Sequence, residues 1–347
     1  MPSSVARQWN FDAPATGLAI NRRGDQLAIA LGDGSLRLLP ASEEAKTPKE
    51  MKLHGGVALS LQPDADEHAF LSGGDDGKVF IIDPNLEEAT LLAEHKGAWI
   101  DHVTSSSEGE FRAYSFGKKI RLLDAEGNER LMAEAPSSIG GMAFSPNGKR
   151  VAASHYGGVS LWWTHAKENA PVKLAWKGSH LGVIWHPEGK IVISAMQESA
   201  LHGWRLSDMN EMHMQGYAGK VHSMGFTGKG RYLATAGAEQ AICWPFFGGG
   251  PWGKPPLMLG GSDSRLVARV APHPKDDLVA AGYDDGMIIL APLDGRMEML
   301  ISPPVAKQGT AVVGLAWNRS GDCLFAALEN GYVMLFTLAS VQKATRM

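Results

Sequence analysis

Cysteine is nearly absent from this chain: only Cys243 and Cys323 occur in 347 residues, both within apolar runs (AICWPF and CLFAAL). Two isolated thiols exclude a disulfide-stapled fold and read as buried and reduced. No apolar run reaches the roughly 18 residues that cross a bilayer, and the opening MPSSVARQWNF lacks the apolar stretch of a signal peptide. The chain is therefore expected in the cytoplasm, without membrane contact. An excess of either charge is missing too. With 33 Lys and Arg against 37 Asp and Glu, the formal charge of −4 supplies no global basic field, so nucleic acid is not expected as a partner.

What the chain does contain is turn residues. Forty-one glycines and nineteen prolines, alongside 44% hydrophobic and 20% charged residues, suit a globular fold of many short strands. The glycines are spaced. Each unit begins with a short apolar run and a polar turn, and these first turns recur as NRRGD at Gly24, QPDADE near Asp66, SSEGE at Gly109 and SPNGK at Gly148. They continue as HPEGK at Gly189, TGKGR at Gly230, HPKDD near Asp276 and NRSGD at Gly321. The interval stays between about 39 and 46 residues, the period of propeller blades.

A second series of turns follows the first: GDG at 32–34, DDG at 75–77, GG at 157–158, DDG at 284–286 and ENG at 329–331. Asp-Gly and Asn-Gly between apolar runs signal hairpins, because such turns need positive φ. The flanking runs, such as QLAIAL, KVFIID, YLATAG and YVMLF, are too short for typical helices and read as buried strands. A weaker fourth strand is visible in KEMKL (49–53), ATLLAE (89–94), VKLAWK (172–177) and MEMLIS (297–302). The expectation is an all-β, closed eight-bladed β-propeller of four-stranded antiparallel blades, one domain over residues 1–347, with seven blades as the alternative. The last unit lacks a fourth strand. Residues 5–11 (VARQWNF) are expected to supply it and close the ring, which removes the exposed sheet edges.

The section 216–244, GYAGKVHSMGFTGKGRYLATAGAEQAICW, resembles a WD-repeat unit, and a weaker resemblance covers nearly the whole chain. Glu94-His95 stands where that family has Gly-His, Gly216-Tyr217 keeps only the glycine, and hairpin aspartates remain at Asp33, Asp76 and Asp285. Third strands end in Asp83, Asp124, Trp162, Trp204 or Trp244, with no Trp-Asp dipeptide. These departures imply that the family's buried histidine–aspartate networks are lost from most units. The resemblance implies a rigid, non-catalytic scaffold that binds a protein partner as a subunit or adaptor of a larger assembly, without a cofactor.

The twelve histidines show no zinc spacing, and His186 and His273 occupy equivalent turns (HPE and HPK), which marks them as repeat features. GGGPWGK (248–254) imitates a phosphate loop but runs into Pro255 and Pro256 instead of a helix. No catalytic residue or metal site is assigned. Two surfaces are candidates for the partner. The connection 246–264 departs from the repeat and presents Phe246, Phe247, Trp252 and Lys254 among glycines and prolines. His95, Trp99, Tyr217, His222 and Arg265 lie where innermost strands begin, at the channel mouth. The competing reading is a propeller that binds a small molecule or metal in its channel, including a hydrolase.

Overall fold

The computed structural model describes residues 4–86, 88–166, 170–261, 265–305 and 309–345, with side chains of the last helix described as far as Val341. The apolar runs are strands. Gln26–Leu31, Ile191–Met196 and Cys323–Leu328 are buried along almost their whole length. Continuous burial means that both faces of these central strands are covered by neighbouring sheets, which explains runs of apolar residues without alternation.

The first turns are built alike. In each of the eight, one backbone N–H donates to the carbonyl five residues on: Asn21 to Gln26, Asp64 to Ala69, Ser106 to Phe111, Ser145 to Arg150, His186 to Ile191, Thr227 to Tyr232, His273 to Leu278 and Asn318 to Cys323. Side chains on this turn face stitch successive units. His186 Nε2 donates to Gly230 O at 3.1 Å, His273 Nε2 to Gly321 O at 2.8 Å, and Asn318 Nδ2 to Ala41 O at 3.0 Å. The two histidines are therefore repeat features, tied at Nδ1 to the amides of Glu188 and Asp276.

The strands form a β-propeller with four-stranded antiparallel blades, such as Ala58–Pro63, Phe70–Gly74, Lys78–Asp83 and Glu88–Glu94 in chain order. Counted as continuous hydrogen-bonded sheets among the described residues, the blades number seven, not eight. Six have four strands and one has six, and the wide sheet, Gly141–Phe144 to Asn210–Met214, holds the fourth and fifth sequence units together. Its two long segments explain the merger. Arg150–Trp163 doubles back on itself at Gly157 and Gly158 (φ 91° and 138°), so that Thr164 N donates to Lys149 O at 3.0 Å. Val172–Trp185 pairs through Val172–Ala175 with the first of these segments and through His180–Trp185 with Ile191–Met196. Between those halves only residues 176–179 intervene, and of these Ser179 still pairs with Tyr156, so no gap in hydrogen bonding divides the two units. Eight repeats in sequence thus occupy seven sheets.

Innermost strands of neighbouring units approach closely at particular glycines. A Cβ on Gly314 would lie 2.6 Å from that of Leu18, and one on Gly141 would lie 2.9 Å from the Cα of Gly182. The ring closes as expected: Val5–Asn10 pairs antiparallel with Tyr332–Thr337, with Trp9 opposite Val333. Trp9 Nε1 also donates to Lys46 O at 2.7 Å, which links the closing strand to the first unit. The chain does not stop at the last strand, however. A helix, Leu338–Thr345, follows, capped by reciprocal bonds between Thr337 and Ser340, and Ser340 Oγ donates to Ser4 O at 2.7 Å. Deleting residues 1–11 should lower the unfolding free energy by about 2 kcal/mol, from a few lost net hydrogen bonds. Unchanged urea midpoints in the truncated chain would contradict closure as a stabilising device.

Candidate functional site

The 246–264 connection starts from Ala241–Pro245 and turns through a short 3₁₀ segment, Phe247–Gly249, before reaching Leu257–Leu259; residues 262–264 lie outside the described residues. Its aromatics divide into two roles. Phe246 is buried edge-on to Phe226 at 5.2 Å and beside His186 at 5.9 Å, as part of the core. Trp252 folds back on the sheet, where its Nε1 donates to Glu211 O at 3.0 Å and the Arg205 guanidinium lies 4.7 Å over its ring. A Cβ on Gly250 (φ 144°) would come within 2.1 Å of the Trp252 ring, so glycine is required there. Arg205 in turn is held by Asp208 at 2.6 Å, and that hydrogen bond keeps the Asp208 carboxyl down at about 2.

Phe247 faces outward. It is 43% exposed, edge-on to Tyr232 at 5.6 Å, with Lys254 Nζ 4.8 Å from its ring. Lys254 donates to the carbonyls of Phe247 and Gly250, so the lysine that imitates a phosphate-loop lysine is committed to its own loop.

At the channel mouth the candidates do not form one patch. His95 stacks on Phe116 at 4.2 Å and bonds the Tyr114 hydroxyl through Nε2 at 3.0 Å; burial, then Arg121 and Lys119, hold its imidazole below the ordinary range. Trp99, 64% exposed, belongs with it in the third unit. Tyr217 is buried in a directional chain: Trp244 Nε1 donates to its hydroxyl (2.7 Å), which donates to Thr235 Oγ1 (2.8 Å), which donates to Ile242 O (2.8 Å). Burial pushes that phenol upward, and the hydroxyl is fully used. His222 lies in another sector, beside a cavity of about 270 Å³ shared with Lys220, Arg269 and Asp284. Arg265 pairs nearby with Asp285 at 2.6 Å.

Buried polar networks are the features that sequence reading missed. His54 lies between Asp76 (Nδ1 to Oδ1, 3.0 Å) and Ser72 (Nε2 to Oγ, 2.9 Å), while Asp76 also accepts the amides of Gly55 and Lys78. This is a histidine–aspartate network of the kind expected to be lost from most units, and it survives in this one; its signal was His54 before Gly55-Gly56 combined with the Asp76 hairpin. The composition imitates a nucleophilic triad, but Ser72 is fully buried and no substrate can reach it. It serves as a clamp. Related pairs join His180 to Ser194 at 2.7 Å and His155 to Ser160 at 2.9 Å. Burial pushes both Cys243 and Cys323 up to about 12, which leaves them unreactive thiols at neutral pH. Among the described residues, no three His, Cys, Asp or Glu side chains are grouped to hold a metal.

Residues 271–346 match the family model of the anaphase-promoting complex subunit 4 WD40 domain. No curated protein matches the chain. Among solved structures it is similar to the computationally designed Ika8 protein, with a TM-score of 0.75 at 16% identity over 95% of this chain and 98% of that one. At that identity the likeness is one of fold.

Proposed function

Because residues 271–346 match a WD40 family model and the chain folds as a β-propeller of four-stranded blades, we propose that it is a WD-repeat protein and a non-catalytic scaffold, a single domain over residues 1–347, that binds a protein partner in a larger assembly. Propellers of this family are typically interaction platforms without enzymatic activity. The observation that carries the reading is the outward Phe247–Lys254 pair on a connection pinned down by Phe246 and Trp252. An exposed aromatic on a rigid support loses little entropy when it binds. A cytoplasmic location belongs to the same reading, supported by two buried thiols. No described helix is long and apolar enough to cross a membrane.

Phe247→Ala should reduce partner retained in quantitative co-purification by roughly tenfold, at an unchanged melting temperature. Trp252→Ala should lower both, since it removes the pin. Full retention by Phe247→Ala would refute this surface. A small-molecule reading keeps one supporting observation, the 270 Å³ cavity at His222, Arg269 and Asp284. A ligand-library thermal shift that disappears in His222→Ala would favour it.

A further inference from the structure

The eight first turns provide one equivalent position each, the residue before the carbonyl that closes the turn. Around the ring it reads Asp25, His68, Glu110, Lys149, Lys190, Arg231, Asp277 and Asp322. Charge is therefore segregated at this position, although Arg22, Arg23, Lys275 and Arg319 stand beside it in the other arc. Units four, five and six are basic there, and the remaining arc is acidic apart from His68.

The basic arc also carries two concavities, and a third, of about 440 Å³, lies by the first and second units at Gln26, Pro40 and Asn85. A cavity of about 330 Å³ lies between units four and five, with Lys149, Arg150, Trp163 and Lys190 in its wall. A second, of about 380 Å³, lies between units five and six with Lys190, Lys229, Arg231 and Phe247. Lys190 is common to both. Each cavity has one exposed aromatic, Trp163 and Phe247, both 43% exposed, with an arginine over its ring: Arg150 at 4.2 Å and Arg231 at 5.7 Å. Lys149 and Lys229 form no ion pair among the described residues, and the pair Lys190–Glu188 (2.9 Å) is open to water on both sides, so it costs little to exchange.

We propose that the turn face of units four to six is the docking surface for an acidic segment of a partner protein. Its carboxylates pair with Lys149, Lys190, Lys229 and Arg231, and its apolar side chains enter the two cavities against Trp163 and Phe247. The proposal rests on the scaffold reading and adds the chemistry of the partner. Charge complementarity selects an acidic segment over a basic one. A peptide also fits better than nucleic acid: Glu188 stands in the arc, Glu110 and Asp277 bound it, and the protein's net charge is −4, all of which repel a phosphate backbone.

The test is fluorescence anisotropy with a labelled synthetic peptide of alternating Glu and Leu, beside its Gln-Leu counterpart and oligo-dT. The Glu-Leu peptide should bind saturably, weaken with salt, and lose roughly tenfold or more in affinity for Lys190→Glu/Lys229→Glu. Arg23→Glu/Arg319→Glu, the same change in charge on the opposite arc, should leave affinity unchanged. The proposal is overturned by absence of saturable binding, by equal losses in the two double variants, or by oligo-dT binding with the same dependence. If Phe247→Ala loses the co-purified partner while Lys190→Glu/Lys229→Glu retains it, the acidic-segment proposal fails and the scaffold reading stands. If neither variant loses it, both fail.

Discussion

Asp64→Ala should destabilise the protein by about 4 kcal/mol, because it leaves a guanidinium buried without its counter-ion. Asp64 and Arg112 face each other in bidentate geometry, Oδ1 to Nε and Oδ2 to Nη2, both at 2.7 Å, with side-chain exposures of 0% and 7%. The third guanidinium nitrogen, Nη1, donates to Ala125 O at 2.5 Å, and Asp64 Oδ2 accepts the amide of Asp66 at 3.2 Å. Arg22 extends the network from the first unit, donating to Asp64 O at 2.6 Å and to Ser105 Oγ at 2.7 Å. Three consecutive units are locked at this point. The pair itself need not be stabilising relative to apolar residues, since two charges were desolvated to form it. Asp64→Leu/Arg112→Met should therefore recover most of the single-variant loss. Urea unfolding of both singles and the double gives the coupling directly, and a double variant as unstable as Asp64→Ala would sink the argument.

That network could not be read from sequence, for a reason that applies across the molecule. The repeated turns were legible because their hydrogen bonding is local: Asn21 Oδ1 accepts the amides of Gly24, Asp25 and Gln26, and Asn318 does the same for Gly321 and Cys323. Local requirements leave residue types at fixed offsets. Asp64 and Arg112, by contrast, are 48 residues apart, and the other seven first turns have no carboxylate at the position of Asp64. The blade count failed where locality misled. VKLAWK (172–177) reads as the fourth strand that ends a unit, but the end of a sheet is a gap in pairing, and Tyr156 opposite Ser179 leaves none. The closing strand was legible because an unpaired third-strand edge demands a partner. Among the candidate residues, sequence could mark the 246–264 departure but could not say which aromatic faces out. That depends on Glu211, 41 residues before Trp252, which offers the carbonyl that turns the indole inward.

Acid should unfold this protein earlier than its carboxylates alone would predict, and His202 is the main reason. Its side chain is 1% exposed, stacked on Trp176 at 3.9 Å and edge-on to Trp204 at 4.7 Å. Both ring nitrogens lack a hydrogen-bond partner among the described residues, and Glu211 Oε2 is no nearer than 3.8 Å. Burial, with His213 and His180 nearby, lowers the imidazole from 6.5 to about 4. A folded-state value below the unfolded one means that the unfolded chain binds the proton more readily. The stabilisation is thus present above pH 6.5 and is lost as pH falls toward 4, by about 3 kcal/mol at roughly 1.4 kcal/mol per pH unit. Burial shifts His54, His102, His155 and His180 in the same direction, so their losses add to it. His202→Phe separates the contributions. Phenylalanine keeps the stack on Trp176, abandons the two unpartnered nitrogens and cannot titrate, so the variant should match or exceed the wild type at pH 7 and exceed it clearly at pH 4.5. Parallel stability profiles for the two proteins across pH 7 to 4 would show that the burden of acid unfolding lies elsewhere.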